Sequence, residues 1–223
     1  FEYWRNREQL ISIANFLPES NETVVISPGK GEKTLINRGY FLQYGWLPWE
    51  KMQLTANLRL DEHSIYGSEV NYRLASVYHF DESLTFKLLL GSSYKAPNVQ
   101  QLFTQPLFAG EVVGNSNLLP ESADTLEFSV NKQLDEHWAL LFNMFTTSVS
   151  DKIELIESGP NQTPRNLGEQ DSTGFESEVY YRKGNWFIKG SLAYQDTKSD
   201  IPRPFQPNLI THSESFPKWS GSI

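Results

Sequence analysis

Residues 52–61 read Met52-Gln53-Leu54-Thr55-Ala56-Asn57-Leu58-Arg59-Leu60-Asp61, apolar at every even position and polar at every odd one. Side chains on a strand alternate between its two faces, so this stretch is a strand with one greasy and one wet side. The same period returns at Leu126, Phe128 and Val130 against Thr125, Glu127 and Ser129, and at Phe175, Val179 and Tyr181 against Glu176, Glu178 and Arg182. It returns again at Trp186, Ile188, Leu192 and Tyr194 against Lys189, Ser191 and Gln195. Tyr40, Leu42, Tyr44, Trp46 and Leu84, Phe86, Leu88, Leu90 are two further apolar faces. No segment carries a helical spacing of three and four, so helix is expected only in loop turns, with residues 99–103 the best candidate.

Between these strands the connections alternate in size. Short polar turns fall at 48–51, 81–83, 135–137 and 183–185. Segments rich in Gly, Pro, Asn and Ser fall at 18–37, 61–71, 95–122, 150–172 and 197–213, and are expected as long loops. Short turns at one end and long loops at the other are the asymmetry of an outer-membrane barrel. A soluble β-sandwich also alternates, and periodicity leaves it open. Trp46, Trp49, Phe80, Trp138 and Trp186 all lie beside the short turns, as an aromatic girdle at one membrane interface would. The wet face, with Gln43, Arg59, Lys87, Glu127, Glu176, Glu178 and Lys189, is too polar for a narrow barrel packed with apolar side chains. It implies a wide lumen holding water or another protein segment.

Composition narrows the classes. The chain has 223 residues, with Lys plus Arg 19 against Asp plus Glu 27 and a formal charge of −8. That acidic balance offers no basic stripe for phosphates, so nucleic acid is not an expected partner. Aromatic residues reach 13% while mean hydropathy is only −0.46, the pairing expected when one face of each strand is apolar and the other wet. There is no Cys, and the four His are far apart in sequence, so no disulfide, thiolate site or metal-ligand spacing is present and no cofactor is implied. No run approaches the roughly 18 apolar residues of a membrane-spanning helix. Both ends, Phe1-Glu2-Tyr3-Trp4 and Trp219-Ser220-Gly221-Ser222-Ile223, read as strand material, and the chain is expected to be a fragment.

The order of phrases from Tyr40 onward resembles the barrel of TonB-dependent outer-membrane receptors. Phe41-Leu42-Gln43 is followed by Leu58-Arg59-Leu60-Asp61, then Gly67, and then by Tyr94-Lys95-Ala96-Pro97, similar to the family's Phe-Arg-Ala-Pro. Gly114-Asn115-Ser116-Asn117-Leu118-Leu119-Pro120-Glu121 is similar to the family's Gly-Asn-Pro-Asn-Leu-x-Pro-Glu, with Glu127 trailing it. Asp151-Lys152-Ile153, Asn166-Leu167-Gly168 and Gly174-Phe175-Glu176-Ser177-Glu178 follow in the family's order. Ser116 stands for the usual Pro, Lys95 for the usual Arg, and Tyr72-Arg73 for the common Pro-Arg; Lys95 lacks the bidentate fork of Arg.

The resemblance implies an all-β fold, an antiparallel transmembrane β-barrel present as a partial barrel of about ten strands, with short periplasmic turns and long extracellular loops. Receptors of this kind have about 22 strands. Residues 1–223 are then part of a receptor barrel whose plug domain and final strands are absent. It implies import of a ferric siderophore or similar metal chelate across the outer membrane of a Gram-negative bacterium, powered by the TonB complex acting through the absent plug, with outer-membrane lipid around the barrel. Tyr66, Tyr94, Phe103 and Phe108, with Lys95 and Arg165, are the candidate ligand-binding residues, because rings and cations suit a flat anionic chelate. Further loop cations are Lys30, Lys33, Arg38, Lys152 and Arg203.

Rival readings are a passive porin-like channel and a haem or cobalamin receptor of the same family. Haem is disfavoured because no His occurs from Ala96 to Asn115, where the family would place an iron ligand. An enzyme is not expected: His79 and Ser93 are neighbours under one strand pairing, but nothing orients them as a base and nucleophile. Gly29-Lys30-Gly31-Glu32-Lys33-Thr34 lacks both the spacing and the context of a phosphate loop. Leu54, Leu58, Phe86, Leu88, Phe128, Val130, Val179, Ile188 and Leu192 are expected on one lipid-facing surface, and the sheet is expected to be open.

Overall fold

The computed structural model describes residues 2–10, 13–17, 22–27, 31–106, 109–200, 210–212 and 217–223. In chain order the elements are β1 (Glu2–Leu10), β2 (Ile13–Leu17), β3 (Glu22–Ser27), β4 (Gly31–Trp49), β5 (Met52–His63), β6 (Gly67–His79), β7 (Leu84–Lys95), α1 (Val99–Phe103), β8 (Glu121–Gln133), β9 (Trp138–Ser158), β10 (Asn161–Lys183), β11 (Trp186–Asp200), β12 (Ile210–His212) and β13 (Trp219–Ser222). One antiparallel sheet runs β1-β4-β5-β6-β7-β8-β9-β10-β11-β12, with β13 also beside β11, while β2 and β3 form a separate pair. The four expected short turns are found as the connections from β4 to β5, β6 to β7, β8 to β9 and β10 to β11. The expected helical turn is α1, whose N-cap Asn98 and third residue Gln101 cap each other reciprocally.

Residues directly opposite in a ladder share a face, which lets the faces be traced across the sheet. Leu42 lies opposite Leu58, Leu58 opposite Tyr72, and Leu74 opposite Leu90. Leu88 lies opposite Phe128, Phe128 opposite Met144, Met144 opposite Phe175, and Phe175 opposite Tyr194. All nine residues expected on the lipid side fall on this one register. Arg59, Lys87, Glu127 and Glu178 fall on the other.

Among the described residues nothing covers the apolar face: Leu42 is 70% exposed, Leu58 52% and Leu88 49%. A sandwich would bury these side chains under a second sheet, and the described residues supply none over this face.

Polar and aromatic borders frame the apolar band. At the short-turn end Trp46, Trp49, Phe80, Trp138 and Trp186 are all exposed. At the other end Ser92, Asp124, Ser148, Asp171 and Lys198 stand opposite one another in a row across five strands, on the same register as the apolar residues below them. From Trp138 to Ser148 is ten residue steps. These rise about 33 Å along the strand, or about 25 Å along the membrane normal at a tilt of about 40°, the height of a bilayer's hydrocarbon core in such barrels. Within the band the hydroxyls of Thr146 and Thr173 satisfy each other at 3.2 Å.

Three expected loops are strand over most of their length instead, the first being 18–37, which holds β3 (Glu22–Ser27) and the opening residues of β4, from Gly31. Residues 61–71 hold only a tight turn at 64–66, since His63 still pairs with Gly67 and Asp61 with Glu69. Residues 150–172 are the tall upper half of the β9–β10 hairpin, bulged near Asn166 and Gly168 but paired up to Ser158 and Asn161. Above the hydrocarbon both faces of a strand are wet, so the ladder continues while the apolar alternation stops. His79 and Ser93 are not neighbours: His79 pairs with Thr85 and bonds its hydroxyl at 3.0 Å, and Ser93 pairs with Ala123. The sheet is open, β1 pairing with β4 and β13 with β11.

Candidate functional site

The site is built at the end of the sheet opposite the short turns, where residues 96–120 connect β7 to β8. Capped α1 places Leu102 and Phe103 against Leu118, which is 1% exposed, and Val99, Ile65 and Ile153 close around them. This is the one buried apolar cluster among the described residues, and it belongs to a loop rather than to the sheet. Gly114 allows it: a Cβ there would stand 2.6 Å from the backbone nitrogens of Phe103 and Thr104. Without one, the Gly114 N–H donates to the Thr104 carbonyl at 2.8 Å and the Asn115 N–H to the Gln101 carbonyl at 2.8 Å.

The loop is tied to the β9–β10 hairpin at several heights. Glu121 accepts the Ile153 N–H at 2.9 Å through one carboxylate oxygen and the Lys95 ammonium at 3.1 Å through the other. Asn166 accepts the Leu119 N–H at 2.9 Å, and its amide donates to the carbonyls of Leu119 at 2.9 Å and Asp151 at 2.7 Å. Asn115 donates to the Pro164 carbonyl at 3.0 Å. Higher still, Gln162 receives the Val113 N–H at 2.7 Å and donates to the Glu111 carbonyl at 3.0 Å.

Of the six candidate ligand residues, the structure brings Tyr66 and Tyr94 together, with ring centroids 6.4 Å apart and the planes tilted by 60°. Tyr66 also lies flat on His63, at 4.0 Å and 4°. Burial, and next the neighbouring Tyr94 phenol, hold the Tyr66 hydroxyl well above its ordinary value, so it stays protonated and a donor. Burial pushes the His63 imidazole the other way, below its ordinary value, and its Nδ1 accepts the Ile65 N–H at 3.2 Å. Lys95 adjoins this pair in sequence, but its ammonium is engaged by Glu121. Phe103 is buried in the loop's own core at 8% exposure. Arg165 is exposed on the upper hairpin, across the ladder from Glu154, and the other upper-hairpin cation, Lys152, is paired with Glu154 at 3.0 Å. Phe108 lies outside the described residues, as do Lys30 and Arg203.

On the wet face below, charge is arranged in local pairs. Arg59 reaches Asp61 at 2.7 Å and, across β4, Glu2 at 2.9 Å. The guanidinium passes over Gly39, where a Cβ would stand 2.9 Å from Nη2. Glu178 binds Lys189 at 2.7 Å and accepts the Tyr180 hydroxyl, and Ser129 donates to Asn143 at 2.7 Å. Lys87, Asn131, Asn143, Glu176 and Glu178 line one polar recess of about 300 Å³ on this face. Such a wall suits water or a polar protein surface and carries no nucleophile–base pair. The Asn166 and Asn115 ties were missed in the sequence, although the capping pattern Asn98-x-x-Gln101 was legible there as a sign of a folded loop.

Comparison with known proteins agrees with this geometry. A family model described as TonB dependent receptor-like, beta-barrel, matches residues 4–223. The vitamin B12 transporter BtuB of Vibrio cholerae is 38% identical over 81 residues, covering 36% of this chain and 12% of that protein. The iron-regulated outer membrane virulence protein of Vibrio cholerae is 28% identical over 155 residues, covering 62% of this chain and 24% of that protein. The crystal structure of the siderophore receptor PirA from Pseudomonas aeruginosa superposes with a TM-score of 0.65 at 21% identity, covering 76% of this chain and 34% of that one. The chain thus spans between an eighth and a quarter of the length of these curated relatives, which are a transporter and an outer-membrane protein rather than enzymes. Matched over nearly its whole length by the family's barrel and carrying that barrel's two-faced sheet, the chain belongs to the TonB-dependent receptor-like β-barrel family.

Proposed function

We propose that residues 1–223 form part of the barrel of a TonB-dependent receptor that imports a ferric siderophore or similar metal chelate across the Gram-negative outer membrane. The rest of the barrel, and a plug that engages the TonB complex, would be supplied by further residues of the same protein. The observation that carries this reading is the coexistence of a lipid-fitted outer face and a wet face with a folded loop at the end opposite the short turns, packed on Ile65 beside the Tyr66–Tyr94 ring pair. Tyr66 and Tyr94 are the residues best placed for ligand contact, with Arg165 a further exposed cation on the upper β9–β10 hairpin; Lys95 and Phe103 serve the loop's own structure first. The relative described as iron-regulated and the siderophore receptor among the solved structures favour an iron chelate.

A second reading, cobalamin, is favoured by the 38% identical stretch shared with a vitamin B12 transporter. Haem remains disfavoured by the missing His in the β7–β8 loop. Growth tests on cells carrying the full-length receptor as their sole uptake route separate these readings. Ferric chelates as sole iron source should support growth, and haem should not. Replacing His212 should leave chelate-dependent growth unchanged. Growth on haem that this substitution abolishes, or a response to cobalamin alone, would overturn the iron-chelate assignment.

A further inference from the structure

Long external loops are the natural candidates for moving gates, but the bonding of residues 96–120 points elsewhere. Its root lies on the wet register, since Lys95 and Glu121, the residues that open and close the connection, are opposite each other on the face of Lys87 and Glu127. From there the chain climbs the β9–β10 hairpin and is fastened at four heights: Glu121 on Ile153, Asn166 on Leu119, Asn115 on Pro164, and Gln162 on Glu111 and Val113. Val112 and Gln162 even form a parallel β-bridge, so the loop adds a short rung to the hairpin. Between Ile153 and Gln162 these ties span much of the hairpin's upper half, and the Leu102, Phe103 and Leu118 cluster fills the space beneath. Opening the loop as a lid would break all of these bonds at once and expose the cluster to water.

We infer that residues 96–106 and 109–120 of the β7–β8 connection form a fixed shelf on the lumen side of the tall hairpin, with Asn166 and Glu121 as positioning residues, and that this shelf does not swing during ligand entry. The inference rests on the receptor reading for its functional meaning: Ile65, which packs on the shelf's core, precedes Tyr66, so a fixed shelf keeps that turn in place for the ligand, and any gating motion belongs to other loops or to the plug.

The test uses the full-length receptor in lipid, with any cysteines elsewhere in it replaced. Spin labels go on Asn117→Cys in the loop and Glu157→Cys near the hairpin tip, both exposed positions. A single narrow distance distribution, unchanged by saturating ferric enterobactin, ferric tris-hydroxamate or cyanocobalamin, is expected. Adding Asn166→Ala should broaden it. A second population, or a shift of the mean on adding any of the three probes, would overturn the shelf, as would a distribution in the unmodified loop already as broad as in Asn166→Ala. A second arm locks the loop with Val112→Cys and Gln162→Cys, which bridge partners place close enough for a disulfide. Oxidised and reduced forms should take up a transported probe at rates within about twofold, and a tenfold loss restored by reductant would again overturn the shelf. If none of the three probes is transported the receptor reading fails on its own, and the distance measurement still decides the shelf.

Discussion

Asn166 holds both backbone polar groups of Leu119, 47 residues away in sequence: its Oδ1 accepts the Leu119 N–H and its amide donates to the Leu119 carbonyl, each at 2.9 Å. A third bond to the Asp151 carbonyl fixes the Asn166 side chain from the β9 side. One side chain thus does for Leu119 what a neighbouring strand would do, and the loop is stitched to the hairpin. Asn166→Ala should weaken this anchoring by roughly 1–2 kcal/mol. Protease cleavage within residues 109–120 of the folded receptor should then be faster, with cleavage in the short turns unchanged. Equal loop cleavage in both proteins would mean the bonds do not hold the loop.

Leu88 and Leu89 offer a clean comparison, because one residue step separates lipid from lumen. Leu88 lies opposite Phe128 in the middle of the apolar band, and Leu89 lies opposite Glu127 on the wet side. Leu88→Arg should cost about 2–4 kcal/mol of folding stability in lipid, the usual penalty for Arg at the bilayer midplane. Leu89→Arg, facing a carboxylate, should cost far less. Urea-dependent folding of the receptor into vesicles checks both, and equal losses would undo the assignment of faces.

Glycines on the same sheet should respond in opposite directions. A Cβ at Gly174 would stand 2.4 Å from the Tyr194 carbonyl oxygen and 2.8 Å from the Phe145 ring, while one at Gly45 would meet nothing within 4 Å. Backbone cannot yield as a flexible side chain can, so Gly174→Ala should destabilise the barrel by about 1–3 kcal/mol. Gly45→Ala should be neutral or stabilising by up to about 1 kcal/mol, through the reduced freedom of the unfolded chain. Thermal unfolding followed by gel mobility would expose a reversal.

How much of this was legible in the sequence depended on where the membrane is. Inside the band, hydrocarbon on one side and water on the other write a period of two into Met52 to Leu60, and the same contrast marked every residue of the lipid-facing set. Above it that contrast vanishes. The strand pairing of Asp61 with Glu69, and of Glu157 with Gln162, therefore left no alternation to read. The site was partly legible for a related reason. Tyr66 and Tyr94 looked like loop aromatics and do meet, but Phe103 looked the same and packs inward, because its partner Leu118 is distant in sequence. Lys95 read as a free cation, and its carboxylate partner Glu121 lies 26 residues further on.

Acid should loosen the turn beneath Tyr66. Burial keeps the His63 imidazole below its ordinary value, and its Nδ1 must be unprotonated to accept the Ile65 N–H. A depressed folded-state value means the contribution is fully present above the ordinary value of about 6.5 and is lost as pH falls below it. Arg38 and Glu62 border the same recess as His63, and Asp61 lies two residues before it. Hydrogen exchange at the Ile65 amide, corrected for its intrinsic pH dependence, should speed up between about pH 7 and pH 5. With His63→Ala the corrected rate should no longer depend on pH; a dependence that survives the substitution would assign it to the neighbouring carboxylates instead.

The central claim is that this sheet belongs to an energised importer and not to a passive pore, and one measurement addresses it most directly. Cells expressing the full-length protein as their only outer-membrane route for iron-55-labelled ferric enterobactin or ferric tris-hydroxamate are compared with and without a working TonB complex. The account predicts accumulation against the gradient of at least one of these chelates when the complex is present, and loss of that accumulation when it is absent. Equal uptake in both backgrounds, proportional to external concentration, would contradict it and make the protein a channel.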